Sequence, residues 1–227
     1  ASPLRASQMP NGLESPLTSA FAALAFLACA SRRPVAEGAA LGALVASKLD
    51  GAASAVAYAA SELLHHRRFP WRAAAVALAV YAPVALGQLA AFGSVVPNSA
   101  TTKLTEHVIV GFDPGWVVGA LHAIGGWAFW AACAGIALQL VPRTRSRAGT
   151  FAALWLAIHV AVFSLVDLGA PFPWYLVASV VLMAPLAALA QFEGTELALR
   201  GRASARAREG VRWGIAALAF ALGSLPV

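Results

Sequence analysis

A polar loop, Phe92-Gly93-Ser94-Val95-Val96-Pro97-Asn98-Ser99-Ala100-Thr101-Thr102-Lys103, lies between long apolar stretches. Its residue types suit a phosphate or a sugar. The Lys103 ammonium offers a phosphate a charge-assisted contact. Ser99, Thr101 and Thr102 can donate to phosphate or sugar oxygens. Pro97 is incompatible with a helix interior and Asn98 favours a turn, so the segment reads as a loop. An ordinary polar connection has the same composition, and residue types alone leave both readings open.

Lys48 and Asp50 interrupt another apolar region. Ionisable groups within a membrane segment cost about 2.5–3.5 kcal/mol each and are functional by default. Residues two apart do not share a helix face, and Gly51 fits a break there. At such an apex Lys48 either meets a lipid phosphate or snorkels to the headgroups from a plain hairpin tip. Glu14, in Asn11-Gly12-Leu13-Glu14-Ser15-Pro16-Leu17, favours the positive start of a helix that Asn11 or Ser15 caps. The sharper alternative has Glu14 facing an outer cavity and holding a polar substrate or a divalent cation.

Other polar residues point to less. Glu106-His107 and Asp113 match no metal-site spacing and read as exposed loop residues. His122, His159 and Asp167 fall in or near apolar runs, where interhelical hydrogen bonds are expected rather than ligation. His65-His66 sits beside arginines at an interface. Cys29 and Cys133 lie inside apolar runs as buried small side chains. No nucleophile elbow, P-loop or dinucleotide fingerprint is present.

These residues are positioned by a chain that is 60% hydrophobic and only 11% charged, with mean hydropathy +0.73. A soluble domain carries about 25% charged residues. The expectation is an all-α, polytopic transmembrane helix bundle, a single domain over residues 1–227. A helical span needs about 20 apolar residues. Candidate spans are 16–31, 71–92, 116–141, 149–168, 173–191 and 212–227. Residues 35–64 are read as a hairpin of two short helices, 35–47 and 51–64, giving about eight spans, with one long tilted helix as the alternative. Residues 192–212, with Glu193, Glu196 and several arginines, are expected to form a cytoplasmic amphipathic connector on the headgroups.

The formal net charge is +6 and the pI about 10.2. The basic residues cluster beside apolar runs, so membrane topology and membrane lipids explain them, and nucleic acid is not an expected partner. The clusters are Arg32-Arg33, Arg67-Arg68 with Arg72, Arg143/Arg145/Arg147, and Arg200 to Arg212. The positive-inside rule puts all of them on the cytoplasmic side. Glu14, Lys48, Asp50, Asn98, Lys103, Glu106, His107 and Asp113 then collect on the outer face.

Several pieces, in order, resemble the GT-C-fold membrane glycosyltransferases, near the bacterial arabinofuranosyltransferases. Gly12-Leu13-Glu14-Ser15-Pro16-Leu17 is similar to that group's helix start, and Glu37 to Leu44 to its small-residue run. Ser47-Lys48-Leu49-Asp50-Gly51 resembles the motif that follows. Phe92 to Lys103 resembles the Gly-Pro-Asn-Lys loop, and Pro173-Trp174-Tyr175 a late helix start. Lys48 stands where that group has Arg, and Leu49 where it has Pro. Ser99 replaces Thr, and Thr102 the Ala before Lys103.

The resemblance spans residues 8–190 and implies transfer of a sugar from a polyprenyl-phosphate donor to an acceptor outside the membrane. In that family an Asp in the first outer loop is the catalytic base. No residue here matches it. The expectation is a fragment of a longer chain or an inactive relative, with the catalytic residue unassigned. Lys103 and Lys48 are the expected contacts to the donor phosphate. Asn98 and Pro97 shape the loop beside Thr101, and Glu14 and Asp50 hold sugar hydroxyls. Two alternatives stand beside this reading: a non-catalytic subunit packed with partner membrane subunits, and a transporter of lipid-linked sugars.

Overall fold

The computed structural model describes residues 14–48, 51–95, 112–165, 176–199, 204 and 209–210, with the backbone alone at 14, 15 and 177. Runs of Ala, Leu and Val make the helices, and Gly, Pro and left-handed arginines end them. Helix α1 (Glu14–Ser31) stops at Arg32, whose φ is 53°. Pro34 then opens α2 (Pro34–Ser47), where its missing N–H costs nothing. Helix α3 (Ala52–His66) closes on Arg67 with φ 52°. Helix α4 (Trp71–Phe92) closes on Gly93 with φ 70°, a residue that reaches the left-handed region without a Cβ penalty.

Asp113 Oδ1 accepts the Gly115 N–H (2.8 Å) at the start of α5 (Gly115–Gly125). Helices α6 (Trp127–Leu140), α7 (Arg147–Leu165) and α8 (Val177–Leu199) follow. Among the described residues every element is helical. The expected break in 35–64 is present: α2 and α3 flank Lys48 and Gly51, and the Gly51 N–H donates to the Lys48 carbonyl (2.8 Å). Each short helix reaches about 21–22 Å at 1.5 Å per residue.

Two expected elements differ. The straight span at 116–141 is instead two helices bent by 116°. The cause is the pair Gly125-Gly126, where Gly126 takes φ 52° and ψ −128°, a conformation that a side chain rarely adopts. The last described span continues to Leu199, so residues 192–199 extend α8 instead of opening a separate connector. The expected span 212–227 lies outside the described residues.

Among the described residues three helices are long and apolar enough to cross a membrane: α4, α7 and residues 178–199 of α8. Counting the bent pair α5–α6 as one span makes four. Helix α1 and the hairpin helices are shorter.

Small residues set the closest contacts. Helices α2 and α4 run parallel, with Gly38 against Ala73 and Gly42 against Ala77. A Cβ on Gly38 would lie 2.4 Å from the Ala73 carbonyl oxygen, and one on Gly42 2.5 Å from that of Ala77. Small residues four apart let two backbones approach this closely in a membrane. Gly135 of α6 meets the Leu186 carbonyl of α8 in the same way (2.0 Å to an added Cβ). The core lies between α1, α7 and α8, around Ala22, Cys29, Phe151, Trp155, Leu182 and Leu186, all buried.

The contacts make a sharp comparison. Gly42→Val should overpack α2 against α4 and cost about 1–3 kcal/mol. Gly87, in the same α4, has nothing within 4 Å of an added Cβ. Gly87→Ala should therefore be neutral, or stabilise by up to about 1 kcal/mol through helix propensity. Thermal unfolding in detergent reads both, and equal effects would refute the close-contact account.

Candidate functional site

The densest polar cluster among the described residues surrounds Arg147, the first residue of α7. Its Nη1 donates to Glu37 Oε1 (2.7 Å) and its Nη2 to Glu37 Oε2 (3.0 Å), a bidentate pair. Its Nε donates to Glu62 Oε1. The same guanidinium donates to the Cys29 carbonyl (3.0 Å) and the Tyr58 hydroxyl (3.0 Å). Tyr58 in turn donates to Glu37. Glu37 is 1% exposed and Glu62 8%.

The partners come from three helices besides α7, with Tyr58 and Glu62 both on α3. Cys29 is in the last turn of α1, and its carbonyl is one that a helix C-terminus leaves to find an outside donor. Glu37 is in the first turn of α2, where the helix dipole favours a carboxylate. Glu62 lies near the end of α3 and Arg147 starts α7, both against the dipole, so their pairing offsets a mismatch at each end. Ser61 adds a bond to the Arg147 carbonyl (3.1 Å), and His65 Nε2 meets Thr150 Oγ1 (3.0 Å). Ser146 caps α7 by accepting the Gly149 N–H (3.1 Å), and Gln139 Oε1 accepts the Ser146 N–H (3.0 Å).

This cluster also fixes the basic segments. Arg32-Arg33 follow Cys29, Arg67-Arg68 follow Glu62, and Arg143 and Arg145 precede Arg147. Arg72 is next to Ala73, which touches Gly38 beside Glu37. All of these arginines other than Arg147 are exposed. They share one end of the bundle, as the charge pattern requires.

Of the site residues singled out from sequence, Lys48 and the backbone of Glu14 are described, and both belong to the other end. Lys48 is half-buried and closes α2, its N–H donating to the Leu44 carbonyl (3.1 Å). Glu14 opens α1, where only its backbone is described. Asp50, Pro97, Asn98, Thr101 and Lys103 lie outside the described residues. So do Glu106, His107, Asp167 and the segment Pro173-Trp174-Tyr175. Of the polar loop, Phe92 to Val95 is described, and Tyr81 donates to the Val95 carbonyl (3.4 Å). The Glu14 side chain, the candidate for holding a divalent cation, lies outside the described residues, and among the described residues no three His, Cys, Asp or Glu side chains gather around a metal position.

His159 behaves as expected for an interhelical bond, its Nδ1 lying 2.9 Å from Ser179 Oγ across α7 and α8. His122 is exposed at the α5–α6 break, edge-on to Phe129 (5.6 Å) and Trp130 (5.5 Å). Cys29 is buried and Cys133 half-buried, both as free thiols.

Sequence reasoning passed over Glu62 and Tyr58, and treated Glu37 and Arg147 only as parts of longer runs. A signal existed. Two carboxylates inside apolar helices require a cation, and Arg147, like Arg72 and Arg212, directly opens an apolar run.

The fold and its apolar helices define a helical protein suited to a membrane. No family model matches the chain, and neither the curated proteins nor the solved structures hold a match.

Two predictions arise from this end of the bundle. Arg147→Gln leaves two buried carboxylates uncompensated and should cost about 3–5 kcal/mol. Glu62→Gln leaves a balanced Arg147–Glu37 pair and should cost clearly less. Unfolding midpoints of the two variants decide the order, and an equal loss would reject the charge-balance explanation.

The second concerns His65, outside the apolar part of α3. Burial foremost, then the charges of His66 and Arg145, hold its imidazole below the ordinary 6.5. The fold thus favours the neutral ring. Its contribution to stability is complete above pH 6.5 and is lost as pH falls through the lowered folded value. An NMR titration of His65 should give a midpoint under 6.5, and a midpoint at or above that value contradicts the prediction.

Proposed function

We propose that the chain is the membrane-embedded part of a glycosyltransferase that moves a sugar from a polyprenyl-phosphate donor to an acceptor on the outer side of a bacterial cytoplasmic membrane. In this reading Lys103 and Lys48 hold the donor phosphate. Glu14 and Asp50 meet sugar hydroxyls, and Pro97, Asn98 and Thr101 shape the loop. About eight spans, counting the α2–α3 hairpin and the segments beyond α8, set the polar face outward.

The observation that carries the proposal is a separation of ends. Glu14 lies fifteen residues before Cys29 in α1, about 22 Å along the helix axis. Lys48 lies eleven residues after Glu37, about 16 Å, and Phe92 nineteen after Ala73, about 28 Å. Thus the three motif-bearing ends point away from the Arg147 cluster, in the same direction. A membrane enzyme acting on a lipid phosphate needs its cations collected on one face, and this path of helices supports that.

The α5–α6 break favours a second reading, movement of a lipid-linked sugar across the membrane. Transporters build substrate sites from discontinuous helices. Transfer and transport differ in product: the first releases polyprenyl phosphate, the second leaves the donor intact on the opposite side.

Lys103→Ala in the full-length protein should weaken binding of a polyprenyl-phosphate sugar about tenfold or more, the loss expected for one charge-assisted contact. Binding measured on purified protein in detergent tests this. Unchanged affinity would remove the phosphate assignment.

A further inference from the structure

We infer that the turn from Arg67 to Arg72, at the arginine end of the bundle, is a binding surface for the headgroup of an anionic phospholipid. This inference is independent of sugar transfer. The turn reads Arg67-Arg68-Phe69-Pro70-Trp71-Arg72 and joins α3 to α4. The Trp71 N–H donates to the Phe69 carbonyl (2.9 Å), and Pro70 precedes the helix, so the turn is short and defined. Arg67, Arg68 and Arg72 are exposed, and none forms an ion pair with a described residue.

Two aromatic rings stand among these cations. Phe69 and Trp71 have centroids 4.4 Å apart and are 41% and 74% exposed. Trp at this level is the amphipathic ring that favours the boundary between headgroups and acyl chains. Immediately along the flanking helices, Leu63, Leu64 and Leu78 are also exposed, at 47%, 60% and 65%. Exposed leucines thus flank the cations and rings, about one turn back in α3 and about two turns on in α4, a combination that suits the phosphate, glycerol region and acyl chains of a lipid.

That combination selects the ligand. Inorganic phosphate would satisfy the arginines but leave the leucines in water. Nucleic acid would satisfy the arginines and rings, again without covering the leucines. An anionic phospholipid covers arginines, rings and leucines together. The Arg147 cluster brings Arg33 and Arg143 to the same end, so the turn sits in a wider positive field.

The test uses full-length protein in neutral detergent, titrated separately with short-chain phosphatidylglycerol, phosphatidylcholine, inorganic phosphate and a short RNA. Phosphatidylglycerol should bind about tenfold more tightly than phosphatidylcholine, and the difference should shrink with salt. Each arginine near such a surface contributes about fivefold. Arg68→Gln with Arg72→Gln should therefore lower phosphatidylglycerol affinity by about tenfold or more, and Arg68→Lys with Arg72→Lys should largely keep it. Arg67 is left in place because its left-handed backbone ends α3. If the glutamine variant fails to fold, the lipid comparison and the lysine variant still decide. Equal affinity for both lipids, unchanged affinity in the glutamine variant, or tighter binding of inorganic phosphate or RNA would each overturn the inference.

Discussion

Two glutamates and one arginine meet where four helices end, and the remaining arrangement depends on that meeting. Arg147 reaches Glu37, Glu62, Tyr58 and the Cys29 carbonyl at once, so it ties α1, α2, α3 and α7 together. Burying such a group seldom yields much net stability, because desolvation of the ions offsets their attraction. Its effect is selective. Any arrangement in which the helices slide by one turn, about 5.4 Å, leaves at least one buried charge without its partner. The apolar contacts between these helices discriminate far less, since Ala, Leu and Val pack against each other in many registers.

Packing then completes what the charges align. Gly38 and Gly42 bring α2 against α4, and Gly135 brings α6 against α8. Between membrane helices no hydrophobic driving force exists, so close backbone approach supplies the attraction. Helix α4 shows the consequence. Among the described helices it is in extensive contact with α2 alone, and Ala73 is its one buried residue. Its remaining surface is apolar, which suits acyl chains and would be costly in water.

Much of this arrangement was legible in the sequence, for reasons that can be named. Hydropathy located α4 to the residue, because its ends coincide with Trp71 and Gly93 and no tertiary contact shifts them. Lys48 and Gly51 marked the α2–α3 break, since a charge and a glycine in an apolar run have few other uses. The basic clusters at Arg32-Arg33, Arg67 to Arg72 and Arg143 to Arg147 marked helix ends that the fold brings together, and the cluster from Arg200 lies outside the described residues. Hydropathy did not foresee the α5–α6 bend, because 115–140 is apolar throughout and the turn depends on the φ and ψ of Gly126. The Arg147 cluster was hidden for another reason. Its members are separated by up to 118 residues, from Cys29 to Arg147, and only the fold brings them together. The polar loop remains legible by residue type, and Lys103, Asn98 and Asp50 lie outside the described residues.

The two ends of the bundle use charge oppositely. At the Arg147 end, carboxylates and guanidinium satisfy one another inside the protein, and the surplus arginines face outward. That combination makes the end rigid and attracts anions only at its rim. At the far end Lys48 closes α2, its N–H donating to the Leu44 carbonyl, and α4 closes on Gly93. A site that must admit a lipid phosphate needs cations whose charge is not already spent on buried carboxylates. The guanidinium of Arg147, whose side chain is 10% exposed, is already taken up by Glu37 and Glu62. In the proposed glycosyltransferase the polar loop is therefore, by its residue types, a better candidate for the donor phosphate than the Arg147 cluster.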